Sequence, residues 1–285
     1  KTEIHRLSIW GISATIGNLE EAKEVLLAAL SMLSTTAKSS DTVIIRAVNS
    51  KKIKIESIIP EEIEKYPWAG HLGIKLAHRV LPIINQHQTT LIFINTRGMS
   101  ESWYQQLLAI APELSGVLAL HHGSIEQDLR LWVEDALHNG TLQAVVCTSS
   151  LDLGVDFRPV EAVVQVGSPK GVARFLQRAG RSGHQPDAVS KIWFLPTHSL
   201  ELLEAAALRE AMEEELIESR QPFILCFDVL LQWLCSLAIS DGFYPDEIFK
   251  EIKSTHCYKD ITKEEWNTLL QFLHSGGKAL AQYDD

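Results

Sequence analysis

Apolar residues in the middle of the chain come in short continuous runs that alternate with longer segments of mixed polarity. Residues 89–94 form one such run, Thr-Thr-Leu-Ile-Phe-Ile, and residues 143–147 and 162–166 form two others. Short runs rich in Val, Ile and Leu predict strands that are buried on both faces of a sheet. Less regular runs predict three further strands, at 51–59, 116–120 and 190–195.

The segments between these strands have the apolar spacing of amphipathic helices. This spacing predicts helices over residues 71–86, 100–110, 125–138 and 171–179. Strands that alternate with helices predict the α/β class, here a parallel sheet with helices on both faces. Such sheets bind ligands in the loops that follow the carboxyl ends of their strands. We therefore expect the polar residues of those loops to carry the function.

The two ends of the chain have other patterns and are assigned to separate regions. The pattern in residues 1–49 predicts a strand, a helix and a strand, at 7–12, 19–33 and 42–48. Residues 50–199 hold the sheet, and residues 200–222 predict an acidic linker helix. Residues 223–285 predict an all-α, winged-helix-like module with helices at 223–239, 245–253 and 262–274. No wing hairpin is visible in this module, so we expect it to be truncated.

Composition narrows the classes of protein that fit. The chain is 46% hydrophobic and 22% charged, which is typical of a globular protein. It has no apolar run of membrane-spanning length, so we expect a cytoplasmic protein without a membrane partner. Its four cysteines lack C-x-x-C spacing, and the paired histidines at 121–122 lack a third ligand at a suitable spacing. We therefore expect no metal site and no disulfide framework.

Residues 162–186 carry four basic side chains and no acidic one, in a chain whose net charge is −10. Arg174, Arg178 and Arg181 are spaced to share one face of a helix. Guanidinium groups pair well with phosphate oxygens, so this run predicts an anionic partner. The alternative is a solvated basic helix face that binds no ligand.

A second polar cluster follows the predicted strand at 143–147. Thr148 and Ser149 offer hydroxyl and backbone N–H groups that could hold a nucleic-acid phosphate. Gly154 and Asp156 follow, and could reach a ribose or a water bound to a nucleotide. The alternative interpretation is a polar helix cap, in which Ser149 or Ser150 caps a short turn.

Five short motifs resemble, in chain order, motifs III to VI of superfamily 2 helicases. They are Ser-Ala-Thr at 13–15, Ile-Phe-Ile-Asn-Thr-Arg at 92–97, Ala-Leu-His-His-Gly-Ser at 119–124, Thr-Ser-Ser-Leu-Asp-Leu-Gly-Val-Asp at 148–156 and Gln-Arg-Ala-Gly-Arg-Ser-Gly-His at 177–184. More narrowly, the chain resembles the large helicase-related (Lhr) family and its ligase-associated DEXH-box helicases. The narrower match lies at 67–73, 147–157, 166–174, 256–262 and 276–277.

The resemblance implies the second of two RecA-like domains, with residues 1–49 as a remnant of the first. It implies coupling to ATP for Ser13, Thr15, Gly154 and Asp156. It implies nucleic-acid contacts for Thr96, Arg97, His122, Gly123, Thr148, Ser149 and Arg174. The alternative for His121 and His122 is a satisfied polar pair at the end of a strand. It implies that Gln177 lies near the nucleotide and that Arg181 is an arginine finger on the γ-phosphate, with Arg178 as a second candidate.

The chain departs from the family pattern in two respects. His184 stands where many relatives carry a third arginine. The sequence also contains no G-x-x-x-x-G-K-[ST] phosphate loop and no D-E-x-H box, which ATP hydrolysis needs. We therefore expect a fragment that is inactive alone and that works with ATP and Mg²⁺ in the full-length protein.

The function implied by the resemblance is an ATP-dependent DNA helicase or translocase of DNA repair. Its expected partners are single-stranded or duplex DNA, a DNA ligase and a nuclease. Two alternatives stay open: an RNA helicase of the same superfamily, and a non-catalytic module that binds a protein partner. Trp68, in a proline-flanked loop, is a further candidate for stacking on a base.

Overall fold

The computed structural model describes residues 9–13, 15–33, 42–46, 52–59, 72–152, 160–183 and 189–277. The chain divides into two compact units. The sheet unit runs from Ala47 to Glu218, and the helical unit joins the segment up to Arg46 with the segment from Ser219 onward.

Six parallel strands form the sheet. They are β1 (Ile53–Ser57), β2 (Thr90–Phe93), β3 (Leu118–His121), β4 (Ala144–Cys147), β5 (Ala162–Val166) and β6 (Ser190–Leu195). Their order is β1-β6-β5-β2-β4-β3, and every neighbouring pair is parallel. Every residue of β2, β4 and β5 is buried, as their continuous apolar runs predict. The predicted α/β class is confirmed.

Helices of the sheet unit cover both faces of this sheet, and other helices belong to the helical unit. The helices of the described residues are α1 (Leu19–Leu33), α2 (Leu72–Lys75), α3 (Leu81–Gln86), α4 (Arg97–Ile110), α5 (Gln127–His138), α6 (Val172–Ala179), α7 (Leu200–Glu213), α8 (Phe227–Ile239), α9 (Pro245–Lys253) and α10 (Lys263–Ser275). Alternate residues of β4 face opposite layers: Val146 packs with Trp103 of α4, and Val145 packs with Val133 of α5.

Two helical segments of the sheet unit differ from their predictions. The helix predicted at 71–86 is broken into α2, a 3₁₀ turn at Ala77–Arg79 and α3. Pro82 lies in the first turn of α3, where its missing N–H costs nothing, so the helix restarts there. The predicted linker at 200–222 begins with α7, which packs on the sheet through Ala205 and Leu208. An apolar stripe at helical spacing explains this packing.

In the helical unit, α8, α9 and α10 surround one apolar core that includes Leu234, Phe249 and Trp266. A capping box begins α10, because the Thr262 and Glu265 side chains each accept a hydrogen bond from the other residue's backbone N–H. No helix of the described residues is both long and apolar enough to cross a membrane.

The strands predicted near the start of the chain are absent from the described parts of those ranges. Residues 9–13 and 42–46 have no strand assignment, and Trp10 and Ile45 are 82% and 90% exposed. A strand is held by hydrogen bonds to a neighbouring strand, and apolar spacing alone does not supply that neighbour.

Candidate functional site

Polar side chains follow three neighbouring strands at one edge of the sheet. β2 leads to Thr96 and Arg97, β3 ends at His121 and leads to His122, and β4 leads to Thr148. Because β2, β4 and β3 are parallel neighbours, their carboxyl ends meet at this edge. The structure therefore brings together three of the motifs that the sequence singled out.

Thr96 and Arg97 begin α4 and reach toward the loop after β3. The Thr96 hydroxyl accepts a hydrogen bond from the Met99 N–H at 3.4 Å and so caps the helix. The exposed Arg97 guanidinium donates to the Ser124 hydroxyl. A Cβ built on Gly123 would lie 3.7 Å from Arg97 Nη2, so this loop passes close to the arginine.

His122 is buried beside the same loop. Its Nδ1 accepts a hydrogen bond from the Ser124 N–H at 3.2 Å. Its Nε2 lies 3.2 Å from Oε1 of Glu101 without forming a well-aligned hydrogen bond. His122 therefore shapes the loop that carries Gly123, and its ring is 3% exposed overall.

Thr148 and Ser149 form the start of a tight turn after β4. The turn continues as a 3₁₀ helix at Ser149–Leu151, with Thr148 as its N-cap. Thr148 is buried, its side chain makes no cap hydrogen bond, and Ser149 is exposed. Ser149 and Ser150, the two residues of the capping alternative, lie inside the turn and not at its N-cap position.

Arg178 of α6 is locked inside the sheet unit. Its Nε and Nη2 donate to the two carboxylate oxygens of Asp152 at 2.8 and 3.3 Å, and its Nη1 donates to Gln165 at 2.6 Å. The guanidinium also lies 4.7 Å from the centre of the Phe93 ring. The side chain is 1% exposed, so its fork is committed to internal partners.

Arg181 and Arg174 meet the same acidic residue from more exposed positions. Arg181 Nε and Nη2 donate to the Asp152 backbone carbonyl at 3.3 and 2.9 Å. Arg174 Nε lies 3.5 Å from Asp152 Oδ2, with its side chain 37% exposed. Burial lowers the pKa of Arg181, whose guanidinium stays charged at neutral pH. Gln177 lies half-buried on the same helix.

Asp152 was missed as a site residue by the sequence reasoning. It ties the turn after β4 to three arginines of the basic run. The available signal was an acid between two leucines, Leu151-Asp152-Leu153, directly after a buried strand. A buried carboxylate needs cationic or hydrogen-bonding partners, and the basic run offers them.

Two further acidic residues that the sequence reasoning left out organise the loop before α6. Buried Glu201 accepts hydrogen bonds from the Ser168 and Thr197 N–H groups at 2.9 and 2.5 Å. Glu218 accepts from the Ala173 N–H at 3.0 Å and caps α6. Gly171 has a φ of 136°, a backbone conformation that favours glycine, and a Cβ there would also overlap Glu218 Oε1.

Several predicted residues lie elsewhere. Ser13 and Thr15 belong to the helical unit, where the Ser13 hydroxyl accepts from the Thr15 N–H at 3.3 Å. Gly154, Asp156, His184 and Trp68 lie outside the described residues. Within the part of the chain that the structure describes, no three His, Cys, Asp or Glu side chains are grouped for a metal ion.

Comparison with known proteins links both units to helicases. A family described as "Helicase conserved C-terminal domain" matches residues 74–185. A second, described as "Large helicase-related protein, winged helix domain", matches residues 210–285.

Individual relatives extend the match across both units. The ATP-dependent helicase Lhr-Core protein 2 of Thermococcus barophilus is 33% identical over 92% of this chain, which is 30% of that relative. The ATP-dependent helicase Lhr-Core of Methanocaldococcus jannaschii is 32% identical over 93% of this chain and 30% of its own length. The chain therefore spans less than a third of these relatives.

A solved structure of the Mycobacterium smegmatis helicase Lhr bound to ssDNA and AMP-PNP is similar to this fold. Its TM-score is 0.77 at 28% identity, and the match covers 91% of this chain and 33% of that chain.

Proposed function

This chain belongs to the large helicase-related family of superfamily 2 helicases, and we propose that it forms one side of an ATP-driven nucleic-acid motor. In this proposal the carboxyl edge of the sheet grips the phosphates of a single DNA strand. The arginine helix α6 faces the γ-phosphate of ATP bound by a phosphate-loop domain. The observation that carries the proposal is Asp152, which connects the turn after β4 to Arg174, Arg178 and Arg181.

The proposed grip uses donors that follow adjacent strands. Arg97 is exposed beside Gly123, and the Thr148–Ser149 turn, which carries two hydroxyl groups, follows the neighbouring strand. Phosphate oxygens accept such donors whatever the base, so the contacts favour binding with little sequence readout. Arg174 is partly exposed and adds a positive charge to the proposed phosphate grip.

The three arginines take different roles in the proposal. Arg181, in the turn after α6, is the finger that stabilises the charge developing on the γ-phosphate, and Gln177 of α6 lies near the nucleotide. Arg178 is a positioning residue, because its whole fork is engaged by Asp152 and Gln165. Coupling follows from Asp152: a shift of the turn that grips the strand moves the carbonyl that holds Arg181.

The described residues fit the arginine side of a nucleotide site. Arg181 is a half-buried cation whose guanidinium is oriented by a backbone carbonyl. When bound, ATP with Mg²⁺ supplies the phosphoanhydride that is cleaved. Gly154, Asp156, Ser13 and Thr15 keep their proposed role in coupling that cleavage to movement. A setting in DNA repair, with ligase and nuclease partners, is part of the proposal through the family resemblance.

Two measurements test the proposal. The purified chain is expected to release no phosphate from ATP, since the sequence has no phosphate loop. In a protein that joins this chain to a phosphate-loop domain, Arg181→Ala is expected to lower kcat about 10³-fold or more. Arg209→Ala, at an exposed position on α7, is the matched control and should leave kcat unchanged.

Three results would contradict the proposal. ATP hydrolysis by the purified chain alone would overturn the proposal that a second, phosphate-loop domain completes the nucleotide site. An unchanged kcat in Arg181→Ala, with loss of a protein partner, would favour the non-catalytic binding module. ATPase stimulation by single-stranded RNA but not by DNA of the same length would favour the RNA helicase.

A further inference from the structure

His121 makes three polar contacts with the turn that follows β4. Its backbone carbonyl accepts from the Thr148 N–H at 3.2 Å and lies 3.1 Å from the Ser150 hydroxyl. Its ring Nδ1 lies 2.8 Å from the same hydroxyl oxygen. One residue therefore holds both ends of a three-residue stretch that includes Ser149.

The other side of the His121 ring is held by α5. Nε2 lies 3.1 Å from Oε1 of Glu134, and the ring is 1% exposed. Burial lowers the pKa of His121, while Glu134 opposes this shift and the nearby Arg130 and His122 add to it. The neutral ring is thus favoured, with its Nε2–H donating to Glu134 and its Nδ1 free to accept.

This protonation state determines what the Ser150 hydroxyl does. A serine hydroxyl has one proton to donate. The Ser150 hydroxyl has two possible acceptors, the His121 carbonyl oxygen at 3.1 Å and Nδ1 of the neutral His121 ring at 2.8 Å, and Nδ1 is the nearer. Ser150 therefore donates inward to His121. Ser149, which is exposed, is the serine of this turn whose hydroxyl faces solvent.

We propose that His121 is a positioning residue that fixes the phosphate-binding turn through Ser150 and braces it against Glu134 of α5. The inference rests on the proposed nucleic-acid grip at this edge of the sheet. It assigns phosphate binding to Thr148 and Ser149 and gives Ser150 an internal role.

Two substitutions separate the two sides of the ring. The amide of His121→Asn ends near the position of Nδ1 and keeps a partner for Ser150 but not for Glu134. The amide of His121→Gln ends near the position of Nε2 and keeps Glu134 but not Ser150. Affinity for a fluorescent single-stranded DNA of mixed sequence is expected to fall about three- to tenfold in His121→Gln and less than about twofold in His121→Asn.

Ser150→Ala supplies the second arm of this test. It should weaken binding as much as His121→Gln does, and in its background the Asn and Gln variants should bind equally. Glu113→Gln, at an exposed carboxylate in the sheet unit, is the control and should bind like the wild type. Equal affinities of His121→Asn and His121→Gln with Ser150 intact would overturn the inference.

Amide hydrogen exchange keeps the inference testable apart from binding. Exchange across residues 148–152 should be faster in His121→Gln and Ser150→Ala than in His121→Asn, at equal melting temperature. If the wild-type chain fails to bind the oligonucleotide, the proposed function is overturned. The exchange rates then still decide the positioning role, and equal rates in the two His121 variants would overturn it.

Discussion

The two units of this protein bury different kinds of side chain. At its carboxyl edge the sheet unit buries His121, Asp152, Gln165, Arg178 and Glu201, each with polar partners. Among the described residues from Ser219 onward, the buried side chains are apolar. Burying a charge costs free energy unless it is paired, so a paired network is retained where it orients functional groups. The comparison points to the carboxyl edge as the working surface and to the helical core as a source of stability.

The largest expected effect comes from Arg178→Ala in the sheet unit. The substitution leaves the Asp152 carboxylate buried without its bidentate partner, which should lower the free energy of unfolding by about 3–5 kcal/mol. Urea denaturation monitored in the sheet unit measures this loss. Arg178→Met combined with Asp152→Leu should recover much of the loss. Equal destabilisation by Arg178→Ala and by the double variant would show that the unpaired Asp152 carboxylate is not the main cause of the loss.

Leu234→Ala is the counterpart in the helical unit. Leu234 is fully buried in the core of α8, α9 and α10, so the truncation should cost about 3 kcal/mol through lost burial and a cavity. Affinity for single-stranded DNA at the carboxyl edge should stay within about twofold, below the effect of losing one hydrogen bond. A loss of affinity as large as that of the sheet-unit variants would remove the contrast between the units.

Gly171→Ala tests the loop before α6 with a smaller effect. The new methyl would overlap Glu218 Oε1 and require a strained backbone, so we expect a loss of about 1–3 kcal/mol in the free energy of unfolding. Gly98→Ala is the matched control, since nothing lies within 4 Å of its Cβ position. Equal stability of the two variants would contradict the expected overlap and backbone strain at Gly171.

The smallest expected effect is a pH dependence confined to the sheet unit. Burial holds the pKa of His121 below its ordinary value of 6.5, so the unfolded chain binds this proton more readily. Stability should therefore be fully present above pH 6.5 and fall as the pH drops below it. His121→Asn should reduce that slope in urea titrations. An unchanged slope would mean that other groups set it.

Much of the sheet could be predicted because its strands are buried on both faces. A continuous apolar run such as 89–94 predicts a buried strand of a parallel sheet. Because the strands are parallel, the loops that follow them lie at the same edge of the sheet. The motifs also located Arg178 on a helix, but Arg181 lies in the turn after α6, which ends at Ala179, and so does not share the helix face that its spacing suggested. The sequence did not separate their environments, because burial depends on partners far along the chain.

Those partners explain what sequence reasoning could not reach. Asp152 and Arg178 are hydrogen-bonded although they are 26 positions apart in the sequence, and Glu218 and Ala173 are 45 positions apart. Neither contact leaves a local periodicity. The same holds for α7, whose acidic surface hid the apolar stripe of Ala205 and Leu208 that packs on the sheet.

The most direct test of the account is the salt dependence of single-stranded DNA binding by the purified chain. If the carboxyl edge grips phosphates, the logarithm of affinity falls linearly with the logarithm of salt concentration. Arg97→Ala should reduce the slope by about one, while Arg209→Ala, an equal charge change on exposed α7, leaves it unchanged. An affinity that stays flat with salt, or equal slopes for the wild type and both variants, would contradict the proposed grip.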